Sequence, residues 1–316
     1  MMETADRDAA SGPSLTDLRN GGKGRLARAL ARLEQAPESP DASALLDAAY
    51  ADPRAHVLGL TGPPGVGKSS LLGAMLRRFR KQGRTVGVIA VDPSSRRSGG
   101  ALLGDRLRLL SDPADPGLFV RSMAARDRLG GLAELTMSAT ILMRAVFDIV
   151  VIETVGVGQS ETDVAGAADT VLFCVQPGSG DSLQFMKAGI VEIPDIAVVT
   201  KADMGAPANR ALSDLNGALT LNDPAAGGWR VRTLAVSAET GAGMAELDSA
   251  LAEHDGWLAA NDRRAALRRE QAEHWLREAV RDRFGREGLR RAGDLRLAPG
   301  ESPFVRLSTV TAELAR

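Results

Sequence analysis

Cysteine is almost missing from this chain. The single Cys174 excludes an intramolecular disulfide, and its place in the apolar run Thr170 to Val175 reads as a small buried hydrophobe rather than a nucleophile. Histidine is nearly as scarce. His56, His254 and His274 are scattered, so no ligand spacing points to a structural metal site. Aromatic residues make up 3% of the chain, which leaves the core to Ala, Leu, Val and Ile. Neither charge is in excess: 39 Lys and Arg face 40 Asp and Glu, and a net charge of −1 gives no basic field to attract nucleic acid or an anionic membrane. No apolar run reaches the ~20 residues of a membrane span. The N-terminal residues lack the apolar stretch of a signal peptide, so the expectation is a cytoplasmic protein with no membrane or nucleic-acid partner. The length of 316 residues, with 44% hydrophobic and 25% charged residues, suits one globular α/β domain with extensions.

Glycine, by contrast, is placed with a pattern. Gly62-Pro63-Pro64-Gly65-Val66-Gly67-Lys68-Ser69 has the form G-x-x-x-x-G-K-S. An apolar run beginning at His56 precedes it, and Ser70 to Leu76 after it has helical spacing. Strand, loop and helix in that order make a P-loop. Glycines let the backbone curl so that N–H groups converge, and the following helix N-terminus favours an anion there. Lys68 is the candidate for the outer phosphates and the Ser69 hydroxyl for Mg²⁺, with Ser70 opening the helix.

The rest of the chain alternates strand and helix around this loop. Leu15, Leu18, Leu26, Leu30 and Leu33 recur at helical spacing, interrupted by Gly21-Gly22, and a third helix runs from Asp41 to Ala51. Apolar runs at Thr85–Val91, Leu118–Met123, Asp148–Thr154, Thr170–Val175, Ile196–Thr200 and Val231–Ser237 read as strands, most of them buried on both faces. This predicts an α/β fold with a mostly parallel sheet and ligands at the carboxyl ends of its strands. A long amphipathic helix follows from Asn261 to Gly285, with Leu267, Ala272, Trp275, Leu276, Ala279, Val280 and Phe284 on its apolar face. Its pattern fits packing on the parent domain or a dimerisation arm. The division expected is an N-terminal helical extension over 1–52, a nucleotide domain over 53–255 and a C-terminal arm over 256–316.

Acids stand where a metal would be needed. Asp92 closes the second strand, Asp105 follows in a Gly-rich loop, and Glu153 ends a buried strand, where a carboxylate is costly unless paired or metal-bound. Glu153-Thr154-Val155-Gly156 occupies the place of the D-x-x-G of a nucleotide switch, with the Gly156 N–H available to a γ-phosphate and Gln159 a candidate to orient water. Thr200-Lys201-Ala202-Asp203 follows another strand and has the form [N/T]-K-x-D. An Asp carboxylate there, read as buried, accepts from guanine N1–H and the 2-amino group together, and adenine offers neither. The stem of Lys201 would lie on the base. Ser237-Ala238-Glu239-Thr240-Gly241 reads as the companion loop, with backbone N–H groups for the guanine O6. GTP over ATP is the expectation. Asp181 and Lys187, in the Gly-bracketed segment after Gln176, are candidates to face a partner.

Taken together, Asp92-Pro-Ser-Ser, Ser98-Gly-Gly, Gly104-Asp-Arg, Arg121-Ser-Met-Ala, Gly130-Gly-Leu-Ala and Glu153-Thr-Val-Gly-Val-Gly-Gln-Ser-Glu resemble the MeaB/ArgK family of P-loop GTPases over roughly residues 14–290. The glutamate-based run is the more specific part, since many families share a P-loop. The resemblance implies a SIMIBI-class GTPase with helical extensions that forms a homodimer through its C-terminal arm. It also implies a GTP-driven chaperone that gates cobalamin loading and protection of a coenzyme B12-dependent acyl-CoA mutase, methylmalonyl-CoA mutase first among them. The chain departs from the family pattern at Thr200, where many members have Asn, and at Ser182, where many have Glu. Two other classes compete. A small-molecule kinase would need an acceptor pocket, and T-K-x-D argues against ATP as its donor. A metallochaperone GTPase would need a Cys/His cluster near its switches.

Overall fold

The apolar run ahead of the glycine-rich loop becomes the central strand of a seven-stranded sheet. A computed structural model describes residues 13–93, 114–125, 134–154, 163–178, 193–219 and 227–315. These divide into two compact units, one formed by Met1–Ala55, Ala133–Asp148 and Arg269–Arg316, the other by His56–Leu132 and Ile149–Arg268.

The second unit holds the sheet. Its strands are β1 (His56–Thr61), β2 (Val86–Pro93), β3 (Leu118–Ala125), β4 (Ile149–Thr154), β5 (Thr170–Val175), β6 (Ile196–Val199) and β7 (Arg232–Ala235). They pair in the order β3-β2-β4-β1-β5-β6-β7, every pair parallel. β4, β5 and β6 are buried along their whole length, as strands covered on both faces should be, while the edge strand β7 is half-exposed. Alternate residues separate the two cores. Leu58, Leu60, Val88, Val151, Leu172 and Val198 pack under helices drawn from Lys68–Lys81 and Met244–Ala259, and Phe173, Val175, Ala197 and Val199 pack on Ala206–Leu219. The chain steps from β1 to β2 on one side and from β4 to β5 on the other. β1 therefore lies at the reversal of strand order, the position where open α/β sheets leave a crevice at their carboxyl ends.

The first unit is helical: α1 (Leu15–Asn20), α2 (Gly22–Gln35) and α3 (Pro40–Ala51), then α5 (Glu134–Val146), with α4 being Lys68–Lys81 of the other unit. Ser14 and Asp17 form a reciprocal capping box on α1, and Ser39 caps α3 ahead of Pro40. Arg19 ties α1 to α5 by donating to the Ala145 carbonyl at 2.9 Å. A cavity of about 620 Å³ opens among α1, α2 and α3, lined in part by Leu15, Leu33, Ala42 and Leu45, and no candidate site residue lines it.

Helices not anticipated from the sequence are α6 (Ala206–Leu219), α7 (Met244–Ala259) and α9 (Pro303–Leu314). The long helix expected over Asn261 to Gly285 is α8, Arg263–Ala292, and it carries a break at Gly285, where φ is 68°. Asn261 and Asp262 ahead of it have positive φ, so they form a sharp entry turn rather than its first residues. The face of α8 that the sequence pattern left open between internal packing and a dimer is buried within this one chain at Ala272, Trp275, Leu276, Ala279 and Val280. Trp275 meets Phe304 of α9 edge-on, with ring centroids 5.0 Å apart.

Candidate functional site

The candidate residues gather at the carboxyl ends of β1, β4 and β6, with β4 paired directly to β1 and β6 one strand further on, beyond β5. Leu60 of β1 pairs with Glu153 of β4, so Glu153 lies one residue short of the end of β1, beside the start of the loop at Gly62. Gly62 has φ 133°, and a Cβ there would come within 2.2 Å of the Cys174 carbonyl oxygen, so only glycine fits. Gly67, with φ 98°, is the left-handed cap of α4, and Lys68 is the first helical residue. Pro63 is half-buried, Pro64, Gly65 and Ser70 are exposed, and Val66 is packed inward.

The Lys68 side chain is buried and folds back over its own loop, donating to the Gly62 carbonyl at 2.6 Å and to the Pro63 carbonyl at 2.9 Å. It pins the loop as a closed ring with the ammonium inside the curve. The Ser69 hydroxyl donates to Glu153 Oε1 at 2.8 Å, and Glu153 is fully buried. A hydroxyl and a carboxylate in contact are hard oxygen donors of the kind Mg²⁺ takes alongside waters and phosphate oxygens. Among the described residues no group of three or more His, Cys, Asp or Glu gathers to hold a metal by itself. The two protein oxygens thus fit a cation shared with a phosphate. Behind them the Thr154 hydroxyl donates to Thr61 Oγ1 at 3.0 Å, lacing the ends of β4 and β1. Asp92 is the penultimate residue of β2, in register with Ala124. Its side chain lies outside the described residues, as do Asp105, Gly156, Gln159, Asp181 and Lys187.

The β6 loop touches the P-loop directly. The Thr200 hydroxyl reaches the Val66 carbonyl at 2.5 Å and the Val175 carbonyl at 3.0 Å, and its backbone N–H donates to Val175 O at 2.8 Å. The Thr200 hydroxyl is thus a side-chain tie from the β6 loop onto the P-loop backbone. Lys201 follows in the left-handed region, φ 55°, and starts a one-turn 3-10 helix, Ala202–Met204. Asp203 is exposed, which corrects the expectation of a buried carboxylate. The turn carries it on the surface, so its orientation must come from a neighbour rather than from enclosure. That neighbour is Ser237, whose hydrogen bond is the main reason the Asp203 carboxyl sits below its ordinary pKa. Ser237 is fully buried and receives the Thr240 N–H, Ala238 is half-buried, and Glu239 is exposed. The Ala202 N–H to Val236 O bond at 3.0 Å holds the two loops together.

Sequence reading missed a second polar cluster, at the opposite, amino end of the strands. His56 Nε2 and His254 Nδ1 each lie 2.7 Å from Thr170 Oγ1. Two histidines separated by 198 positions in the chain, and treated as scattered, share one hydroxyl because β1 and β5 are neighbours and α7 lies over them. Asp169 beside them accepts the Val57 N–H at 2.8 Å and a two-pronged contact from Arg268 at 2.7 and 2.6 Å. Burial pushes the Asp169 pKa up, but Arg268 and the Val57 N–H more than offset it and hold the carboxyl below the ordinary value.

A seven-stranded parallel sheet, among the described residues, with this loop at its switch point defines the class as a P-loop nucleotide-binding protein. The family model described as "Methylmalonyl Co-A mutase-associated GTPase MeaB" matches residues 26–290, and the chain belongs to that family. A putative GTPase of Pyrococcus abyssi is 43% identical over 229 residues, covering 72% of this chain and 70% of that one. The mouse methylmalonic aciduria type A homolog, mitochondrial, is 36% identical over 228 residues, covering 71% of this chain and 55% of its own length. A solved structure described as LAO/AO transport system kinase superposes with a TM-score of 0.64 at 26% identity, covering 96% of each chain. The chain is a GTPase, as its family and relatives are. Among the described residues no helix is long and apolar enough to cross a membrane.

Proposed function

We propose that this GTPase is the nucleotide switch of a coenzyme B12-dependent acyl-CoA mutase, methylmalonyl-CoA mutase first among them. In this reading it gates cobalamin loading and protects the cofactor, works as a homodimer, and acts in the cytoplasm. The observation that carries it is the Ser69–Glu153 contact. It joins the phosphate loop to the strand end that leads straight into Thr154-Val155-Gly156, so a change at the phosphates is felt at the start of the next segment. The family description, which names methylmalonyl-CoA mutase, supports this choice of partner.

In this role the P-loop, Gly62 to Ser70, wraps the phosphates with backbone N–H groups, and Lys68 exchanges its carbonyl partners for phosphate oxygens. Ser69 and Glu153, with Asp92 and Asp105, would hold Mg²⁺, which supplies charge neutralisation at the β- and γ-phosphates. Gly156 and Gln159 would face the γ-phosphate and the attacking water. Lys201, Asp203 and the Ser237-Ala238-Glu239 loop read guanine. A dimer would use surfaces other than the α8 face already buried in the chain. The test is reconstitution with purified apo-mutase and adenosylcobalamin. GTP hydrolysis should release cofactor into the mutase, and a non-hydrolysable GTP analogue should arrest transfer. Equal loading with either nucleotide would reject the gating role. The solved relative's description as a transport system kinase favours one other reading. Phosphate transfer from GTP to a basic amino acid, absent in a hydrolase, would establish it.

A further inference from the structure

Strand β5 ends at Val175, and Gln176 follows it, half-buried. The turn at Thr200-Lys201 is fastened to this strand end three times. The Thr200 N–H and hydroxyl reach the Val175 carbonyl at 2.8 and 3.0 Å, and Lys201 Nζ donates to Gln176 Oε1 at 2.7 Å. An exposed lysine ordinarily moves freely, and fixing it costs rotamer freedom. Lys201 is held at both ends instead. Its backbone is locked in the left-handed region at φ 55°, and its ammonium is held by the Gln176 amide. Between those two anchors the methylene stem lies along a fixed line, two residues from Asp203, whose own carboxylate is oriented by Ser237.

We propose that Gln176 is a positioning residue for the nucleobase. By holding the Lys201 ammonium it presents the lysine stem as a preformed apolar face for the purine ring. The inference rests on the reading of Lys201 and Asp203 as the guanine site. Asp203 chooses the base by hydrogen bonding. The Gln176–Lys201 strut contributes affinity without choice, because a stacked stem meets the π-face of any purine alike. Ordering one rotamer-rich side chain costs about 0.5–1.5 kcal/mol, so losing the strut should weaken binding roughly 2- to 13-fold. GDP and GTP should lose the same factor, since the strut lies at the base and not at the γ-phosphate.

The experiment is calorimetric titration of GDP and a non-hydrolysable GTP analogue into the full-length chain, with steady-state GTP hydrolysis measured in parallel. Gln176→Ala should weaken both nucleotides equally, by roughly 2- to 13-fold, and should raise KM while kcat stays within about twofold. Gln176→Glu, which offers Lys201 a carboxylate at the same reach, should restore the affinity. In a Lys201→Ala background Gln176→Ala should have almost no further effect, because the partner is gone. Full affinity in Gln176→Ala, or the same loss with and without Lys201, overturns the strut. Asp203→Asn separates this outcome from failure of the guanine site. If that variant turns to xanthine nucleotides while Gln176→Ala is silent, the guanine reading stands and the strut alone is wrong. If it does not turn, both are wrong.

Discussion

The Ser69 hydroxyl donates to Glu153 Oε1 across the gap between α4 and the end of β4, at 2.8 Å. A buried carboxylate in contact with the first hydroxyl after the phosphate-loop lysine is placed for a cation more than for stability. Glu153→Gln should therefore lower kcat for GTP hydrolysis by about 100-fold or more while leaving the melting temperature within a few degrees, since a neutral amide still accepts from Ser69 and is easier to bury. Ser69→Ala should weaken the Mg²⁺ dependence of nucleotide binding. Magnesium titrations of tight GTP binding in both variants, with thermal melts alongside, check this. Full hydrolysis by Glu153→Gln would remove the residue from the site.

Thr200 gives a second prediction. Its hydroxyl links the β6 loop to the P-loop through the Val66 carbonyl and to the end of β5 through the Val175 carbonyl. Thr200→Val keeps the shape and removes the donor. It should cost about 1–3 kcal/mol of stability, the usual penalty for leaving buried acceptors unmade, and should weaken GDP and GTP together. Thr200→Asn should recover most of the binding by supplying an amide donor. Urea unfolding with nucleotide titration of the three proteins reads both effects.

Base choice should reside in Asp203. Asp203→Asn should exchange preference from guanine to xanthine nucleotides by about 100-fold or more, because the amide now meets a carbonyl where guanine has an amino group. Competition between GDP and XDP for the nucleotide site measures it directly. Unchanged GDP preference would place base reading elsewhere.

The cluster at the amino ends of the strands predicts a pH dependence of stability. Asp255 lies 3.1 Å from His56 Nδ1, Thr170 Oγ1 bridges the two imidazoles, and Asp195 Oδ1 lies 3.4 Å from His254 Nε2. Four contacts thus run between two carboxylates, and two neutral imidazoles with one hydroxyl carry three protons. If His56 donates to Asp255 and Thr170 to His56, then His254 spends its proton on Thr170 and turns a bare Nε2 toward Asp195. The missing proton belongs on Asp195, whose pKa burial raises to about 7, while burial lowers His254 to about 4. Asp169, Arg264 and Arg268 are the other charged groups facing this cluster.

The signs follow from the two shifts. Asp195 holds a proton in the fold that the unfolded chain has lost, so its contribution is complete below the ordinary value of 3.8 and disappears as pH rises through about 7. His254 does the reverse, its contribution present above 6.5 and lost as pH falls through about 4. The two oppose each other in the shared window. Asp195→Asn should expose the difference. Its side-chain oxygen can still accept the Val171 N–H, which Asp195 Oδ2 takes at 2.7 Å, and its amide can donate to His254. Its stability relative to the parent should grow with pH between about 4 and 7 and level off above, by about 1–3 kcal/mol in total. Denaturant unfolding at half-unit pH steps checks the slope. A flat difference would mean Asp195 is ionised throughout.

Breaking the neighbouring ion pair should cost more. Asp169 is almost fully buried and is gripped by Arg268 through two nitrogens. Arg268→Met strands the carboxylate and should destabilise the protein by about 3–5 kcal/mol. Replacing both residues with apolar partners should recover much of that loss.

The parallel sheet was legible because its strands are short runs of Val, Ile, Leu and Ala that end in chemistry-bearing residues, such as Glu153 and Thr200. The P-loop was legible because its glycines answer to a single backbone requirement. What escaped the sequence was what depends on adjacency across the sheet. Nothing in the spacing of His56, Thr170 and His254 says that they meet, and only strand order brings them together. Helix α7 escaped for a related reason. Its buried stripe of Met244, Leu247, Leu251 and Leu258 is interrupted by His254, and Gly256 lies within it. Gln176 stood in view as the start of a loop, but its meaning depends on a lysine 25 positions later in the chain. Asp203 is exposed where a buried carboxylate was expected, because a motif gives position along the chain and not solvent exposure.

The most direct test of the switch is the effect of the mutase on hydrolysis and of the nucleotide on the complex. Purified methylmalonyl-CoA mutase should be titrated with this protein loaded with GDP or with a non-hydrolysable GTP analogue, and GTP turnover should be followed with and without the mutase. A switch predicts affinities for the mutase that differ by about tenfold or more between the two nucleotide states, together with GTP hydrolysis that the mutase accelerates. Equal affinity in both states and an unchanged hydrolysis rate would contradict it.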